Sequence, residues 1–474
     1  MNAKRILSML MAIVMLAAMF AACGGTEDPA ATTVATTEAT TAATTAATTE
    51  ATTTEATTAD LGYNGYEFVL ANAPADQFVE EPSNALEEEL MGIYADLEEE
   101  LNVSFSSIKL DNTGEKLLTY AMSGDKLADF VWCTQNAWGP AATNNALRDL
   151  NTEEVISTGM NVNDEAMFDQ VYTQLANLHD GSIWGFAMAG KYFINNTGFT
   201  YVFNKPLLDQ YGYPADEIYQ AVRDYKWTWE LFMEIASKIS QDTDGDGRID
   251  IHGQTMVDIE SELESNGLGL MYFDEGLGKW QSGFASPQIV ESLQFVLTIA
   301  MDEEYSYASA PDNVTRRATF YEGKAAFGCL YGGHYGNGGA NEMCEFDYGI
   351  VPIPKGPQAE KYSYVIPDLG VYVLQNANAD WVTSCEIMAK LSSLLTDKEA
   401  EREFLRTYLR DDESLEILED YCFPGARPQA TRFSPDIKNA LDMAAELIQT
   451  MGPAAAIETV NSNLQNAINE LFGY

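Results

Sequence analysis

Three stretches of this chain concentrate residues able to bind or react. The first is Asp242-Thr243-Asp244-Gly245-Asp246-Gly247-Arg248-Ile249-Asp250, with acidic side chains at alternate positions around a glycine turn. Calcium takes six to eight hard oxygens at roughly 2.3–2.6 Å, and this spacing follows the first nine positions of an EF-hand loop. The candidate ligand positions are therefore Asp242, Asp244, Asp246, Arg248 and Asp250. The twelfth position is Gly253 rather than Glu, so a bidentate ligand would have to come from elsewhere. Calcium in such a loop would be structural, and no cofactor is otherwise required. Without the ion the same residues form Asx turns.

The second stretch, Trp132-Cys133-Thr134-Gln135-Asn136-Ala137-Trp138, sets two large rings on either side of two amides. A sugar offers C–H faces that stack on rings and hydroxyls that need donors and acceptors, so this pairing suits one. Trp138, further from the preceding strand, is the preferred contact. The bland alternative is that one tryptophan plugs the core while the amides cap the next helix. The third stretch, Tyr331-Gly332-Gly333-His334-Tyr335, brings rings with polar tips beside glycines that let backbone approach a ligand. It competes with a plain glycine-rich surface loop. Trp184 and Asp368 join the candidates, set against a packed hinge aromatic and a turn carboxylate. Trp229, just inside a helix start, reads as core.

Nucleophilic or zinc chemistry finds few parts here. The chain has 3 histidines and 6 cysteines, with no C-x-x-C, H-E-x-x-H, P-loop or nucleophile elbow. Setting Cys23 aside leaves an odd number of cysteines, which argues for buried free thiols rather than a disulfide framework. A secreted glycoside hydrolase needs a carboxylate pair, but among 72 acidic residues pairs arise by chance.

The elements that must position these residues alternate in type. Tyr66 to Leu70 opens as a strand. Asn84 to Leu101 follows as a helix with Leu86, Leu90, Ile93 and Leu97 on one face and glutamates opposite. A strand over Asn102 to Leu110, a helix over Gly114 to Met122 and a strand over Ala128 to Cys133 complete a β-α-β-α-β order, which predicts an α/β lobe. Ligands of open α/β sheets sit beyond the carboxyl ends of strands, and the Trp132–Trp138 loop is such an end. Further on, Tyr201 to Gly253 holds a short strand, Asn204-Lys205-Pro206, a helix closed by Gly212 and Pro214, and a second helix begun at Thr228.

Read in order, FNKPLLDQYG, TWELF, DTDGDGRID, FYEGKAAF and YGIVPIPKGP resemble elements of the extracellular solute-binding proteins of ABC-type importers, above all the sugar-binding branch. The resemblance covers nearly all of Leu61 to Tyr474 and departs from the family pattern at Phe203, where Tyr is usual. It implies an α/β, two-lobed periplasmic-binding-protein-like fold with a hinge and an interlobe ligand cleft. Residues 61–188 with 366–425 would form the first lobe, and 189–365 with 426–474 the second. Cleft walls would come from Trp132, Gln135, Asn136, Trp138, Trp184, Tyr331, His334, Tyr335 and Asp368. The expected function is capture of a sugar or oligosaccharide by hinge closure and delivery to a membrane permease, without chemistry on the ligand. The competing functions are a secreted glycoside hydrolase and a calcium-dependent cell-surface interaction protein.

The N-terminal region says where such a protein would work. Lys4-Arg5, an apolar run from Ile6 to Ala22 and Phe20-Ala21-Ala22-Cys23 follow the secretory pattern and resemble a bacterial lipobox, with Cys23 as the lipidated residue. Residues 24–60 are almost entirely Thr and Ala with scattered Glu, lacking the apolar mass to fold. As a coil they would reach on the order of 35 Å from the outer face of the cytoplasmic membrane. The net charge of −46 repels nucleic acid and anionic headgroups alike, so neither is an expected partner. A monomer is expected.

Overall fold

The largely apolar runs Tyr66–Ala71 (β1) and Phe130–Cys133 (β3), with Val103–Ile108 (β2), build a parallel core, with Tyr66 opposite Val103 and Leu70 opposite Phe130. The computed structural model describes residues 62–74, 77–79, 81–191, 197–335 and 338–474. The expected signal segment, Cys23 and the Thr/Ala stretch to residue 60 lie outside the described residues. Between β1 and β2, Ala85–Leu101 (α1) starts at Asn84, whose side chain accepts the Glu87 N–H at 3.0 Å. Its buried stripe is Leu90, Tyr94, Leu97 and Leu101, while Leu86 is exposed, so the apolar face runs one turn later than the expected one. Thr113–Ser123 (α2) and Gln135–Thr143 (α3) follow β2 and β3.

The second sheet grows from Thr200–Asn204 (β4), every residue of which is buried. Lys205–Gln210 (α4) begins with Pro206 in its first turn, where the missing N–H costs nothing, and Ala215–Arg223 (α5) follows. Trp229–Ile239 (α6) is capped by Thr228, as expected, and turns Trp229, Phe232, Ile235 and Ile239 inward. His252–Gln254 (β5), the short helix Ile259–Glu264 (α7), the hairpin Met271–Asp274 (β6) and Lys279–Ser282 (β7), then Ala325–Leu330 (β8) and Tyr348–Val351 (β9) complete this half. The sheet order is β5-β8-β4-β9.

Tyr364–Ile366 (β10) and Val371–Val373 (β11) carry the chain back. β11 joins the first sheet antiparallel to β3, giving the order β11-β3-β1-β2, with Tyr372 opposite Trp132. Trp381–Leu395 (α8) covers one face of that sheet, burying Ile387, Met388 and Leu391 with Phe68, Leu70, Leu90 and Phe130. The opposite face, including Ala71, Val131 and Cys133, is continuous with the core of the second sheet. Ala426–Pro428 (β12) pairs in parallel with β10 between the two sheets.

The lobe boundary expected at residue 425 moves. Lys398–Leu409 (α9) leaves the first lobe, where the Asp397 N–H donates to Ala189 O at 2.9 Å, and ends in the second, where Arg410 donates to the carbonyls of Phe346, Asn341 and Cys344. Asp412–Ile417 (α10) is bound to the second sheet, because Ser414 Oγ accepts the Ile350 N–H at 3.0 Å. Among the described residues, two segments therefore cross between the sheets, near residues 364–371 and 397–411. Pro435–Met451 (α11) and Pro453–Phe472 (α12) form a hairpin that touches both lobes, through Phe433 against Trp138 and Phe472 stacked on Trp280. Among the described residues no helix is long and apolar enough to cross a membrane, and Cys133, Cys329, Cys344, Cys385 and Cys422 are buried free thiols.

Candidate functional site

The carboxyl ends of β1, β2 and β3 open into a groove of about 450 Å³. Asn72, just past β1, sits at φ 55° and donates to Thr113 Oγ1 at 2.8 Å while accepting the Leu110 N–H at 2.7 Å, which knits two strand ends together. Helices α2 and α3 both start at this rim, and neither Asn112 nor Thr134 caps its helix through its side chain. Thr134 instead donates to Asn136 at 2.8 Å. The first N–H groups of two helices thus meet amides and a hydroxyl at one concave edge, a surface suited to hydroxyl or carbonyl oxygens. Asn72, Asn112 and Thr113 were not among the expected site residues. Applying the strand-end rule to β1 and β2 as well as β3 would have found them.

Of the expected contacts, Trp132 and Asn136 line this groove. The Trp132 ring also lies over Gly370, so closely that a Cβ there would stand 2.3 Å from it. Trp138 is placed otherwise: it is fully buried, its ring edge-on to Phe433 at 5.2 Å and its Nε1 3.4 Å from Leu369 O. The expectation of Trp138 as the leading ring contact is corrected here, since a ring with no exposed face has none to stack on a ligand. The helical period explains it, because Gln135, Trp138 and Ala142 share the inward face of α3 while Asn136 faces out. Gln135 is equally buried, yet neither its Oε1 nor its Nε2 has a partner.

Around the crossing segments, Trp184 is half-buried with an unpartnered indole N–H, and Gly185 beside it is pressed against Val371. Asp368 sits at φ 49° with its carboxylate 3.5 Å from Arg432. Arg432 escaped sequence reasoning because nothing local marks it; only the fold brings it beside residue 368.

The second expected wall forms around the end of β8. Tyr331 packs between Phe199 at 5.0 Å and His334 at 4.3 Å, and the Gly332 N–H donates to Thr197 O. His334 is half-buried with an unpartnered Nδ1, and burial lowers its pKa to about 3, so the ring is neutral. Tyr335 is a core residue instead, 4% exposed with its hydroxyl bonded to Thr200, which corrects its assignment as a wall. The Phe199 N–H donates to Val365 O at 2.9 Å, which ties this group to the crossing segment near residues 364–371.

In the acidic loop, carboxylate oxygens of Asp242, Asp244 and Asp250 lie within 4.8 Å of one another. Asp242 also accepts the N–H groups of Gly245 and Gly247, and Asp250 accepts from Thr243, so the turn is held in shape by its own side chains. Asp246 stands outside the convergent set and accepts the Arg248 N–H at 2.8 Å. Gly253 cannot be a Glu-like ligand position, because it lies inside β5 with its Cα against Ala236 of α6.

No family model matches the chain, and no curated protein matches it. Solved structures do. The maltose/maltodextrin-binding domain of MalE from Bdellovibrio bacteriovorus, bound to maltotriose, is 17% identical over 85% of this chain and 100% of that one, with a TM-score of 0.53. An ABC substrate-binding protein from Listeria monocytogenes in complex with cycloalternan is 16% identical over 86% of this chain and 99% of that one, with a TM-score of 0.54. UspC from M. tuberculosis is 14% identical over 85% of this chain and 100% of that one, with a TM-score of 0.55. The two sheets, their crossing segments and the helical cover account for that likeness: the chain has the two-lobed α/β fold of ABC-importer solute-binding proteins.

Proposed function

We propose that this protein is the extracellular substrate-binding component of an ABC importer, closing its two lobes on a sugar or oligosaccharide and passing it unchanged to a membrane permease. The observation that carries the reading is the groove at the strand ends, where the Trp132 ring lies beside the side chains of Asn72, Thr134 and Asn136 and the first turns of two helices. Such a surface offers hydrogen bonds to a hydroxyl-rich ligand and none to a purely apolar one. Rings at Trp132, Tyr331 and Trp184 would add stacking of about 0.5–1.5 kcal/mol each, enough with hydrogen bonds for micromolar binding. Cys23 would carry the lipid that holds the protein at the outer face of the cytoplasmic membrane, and the protein would act as a monomer.

A thermal-shift screen tests this with maltotriose, cycloalternan, mannotriose, tagatose and ribitol as probes. A binder at about a hundred times its Kd stabilises the folded chain by about 2.7 kcal/mol. Turnover of an oligosaccharide by the purified chain would establish the hydrolase instead, and no shift with any carbohydrate would sink the proposal. Within the same reading, calcium sits at Asp242, Asp244 and Asp250, with Arg248 offering its carbonyl. Asp244→Asn should remove any rise in Tm on adding calcium to chelator-treated protein, and a rise that survives would place the ion elsewhere.

A further inference from the structure

The helix Asn313–Tyr321 starts at Asp312, whose carboxylate accepts the Thr315 N–H at 2.7 Å. Two adjacent arginines on it differ in what they meet. Arg316 is buried and donates to the carbonyls of Thr255 and Ala308. Arg317 is half-buried and lines a cavity of about 690 Å³, which it shares with Val314 and Tyr321, one turn to either side on the same helix face. The lining also takes in Met343, Glu345 and Phe346, in a segment that Arg410 fixes by donating to the carbonyls of Asn341, Cys344 and Phe346. The cavity adjoins the second wall: the Tyr321 hydroxyl donates to His334 O at 3.1 Å, and the Arg317 charge adds to burial in keeping the His334 ring neutral.

Four charged side chains line this cavity, and two of them satisfy each other, since Lys324 Nζ stands 2.7 Å from Glu322. Arg317 and Glu345 do not. Among the described residues neither makes an ion pair or a hydrogen bond, although they carry opposite charges and line the same space. With 72 acidic residues against 26 basic ones, a half-buried guanidinium that no carboxylate has claimed is out of pattern. A small anion would suit Arg317 but would meet Glu345 and the field of the whole chain. A cation would suit Glu345 but would meet Arg317. A net-neutral molecule that carries both charges meets neither obstacle, and the exposed side chains of Val314 and Met343 beside the Phe346 ring offer it an apolar surface.

We propose that this cavity binds a free α-amino acid with an apolar or aromatic side chain, its carboxylate on Arg317, its ammonium on Glu345 and its side chain against Met343 and Phe346. The planar guanidinium grips a carboxylate through two parallel N–H donors. The three donors of an ammonium suit Glu345, which only accepts. This site is separate from the groove at the strand ends and does not depend on the sugar-binding reading.

Isothermal titration of the full, sugar-free chain with L-phenylalanine and L-leucine tests the site, and saturable binding is expected. L-Phenylalaninamide lacks the carboxylate and N-acetyl-L-phenylalanine lacks the ammonium, so each should bind at least about tenfold more weakly than phenylalanine. Arg317→Gln should weaken phenylalanine by at least about tenfold and leave the amide no weaker. Glu345→Gln should weaken phenylalanine in the same way and leave the N-acetyl derivative no weaker. Direct pairing gives this crossed pattern, whereas a disturbed fold weakens every probe alike. No saturable binding of either amino acid, or binding unchanged in both variants, overturns the site. Galacturonate binding more tightly than phenylalanine overturns the amino-acid assignment in favour of a sugar acid. Should a variant fail to fold, the wild-type chain still decides, because equal affinities for phenylalanine and its two derivatives overturn the proposal. A carbohydrate shift without amino-acid binding would sink this site and leave the proposed function standing, and amino-acid binding without a carbohydrate shift would do the reverse.

Discussion

The two candidate walls begin alike and are built differently. Each offered a pair of rings around polar residues, and in each one ring is lost to the core: Trp138 in the first, Tyr335 in the second. The first wall hangs on a parallel strand end and a regular helix, so its inward face is set by the 3.6-residue period and takes Gln135 with Trp138. The second follows β8 through a single tight turn, Gly332–His334, too short for a period to sort its side chains. There the neighbours decide, with Phe199 holding Tyr331 and Thr200 claiming Tyr335. The exposed Asn136 amide on a rigid helix is a preorganised contact, whereas a neutral histidine on a short turn is an adjustable one.

The largest test of that contrast is Trp138→Ala. As a core residue it should cost about 3–5 kcal/mol in denaturant unfolding of the ligand-free chain. Unchanged stability with lost sugar binding would return Trp138 to the ligand. A pH series comes next. Burial raises Glu262 to about 8, so the folded chain holds a proton that the unfolded chain releases near its ordinary 4.5, and stability falls as pH rises across that window. The drop is on the order of 4–5 kcal/mol at most, and Glu262→Gln should flatten it. His334 runs the other way: its folded pKa of about 3 lies below the usual 6.5, so stability falls as pH drops from 6.5 to 3. His334→Gln should remove that acid limb in a Tm-against-pH profile.

Smaller and sharper is Gln135→Leu. Replacing an unpartnered amide with a similar apolar volume should leave ligand-free stability level or raise it by about 1 kcal/mol, with any carbohydrate-induced Tm shift left in place because the amide has no exposed atom. A variant that loses the shift would show the amide reaching the ligand after all.

Much of the scaffold was legible because its signals are local. Thr228 capping α6 and Pro206 in the first turn of α4 depend on residues within one turn of each other. The acidic loop belongs to this class too, since Asp242, Asp244 and Asp250 converge over nine consecutive positions. The site was only partly legible. Trp132 and Asn136 could be named from their place after a strand, but whether a ring faces solvent or core depends on what lies across from it. For Trp138 that is Phe433, nearly three hundred residues away.

By itself, then, the sequence determined the α/β alternation, the caps and turns, the aromatic-and-amide character of the walls and the acidic loop, because each is set by short-range sterics and periodicity. Only the tertiary structure decided that Trp138 and Tyr335 are core, that α9 crosses between lobes, that Arg432 meets Asp368, and that Glu260 accepts hydrogen bonds from Ala430 and Thr431. Those outcomes are contacts between segments far apart in the chain, and burial or pairing of that kind exists only once the two lobes have packed.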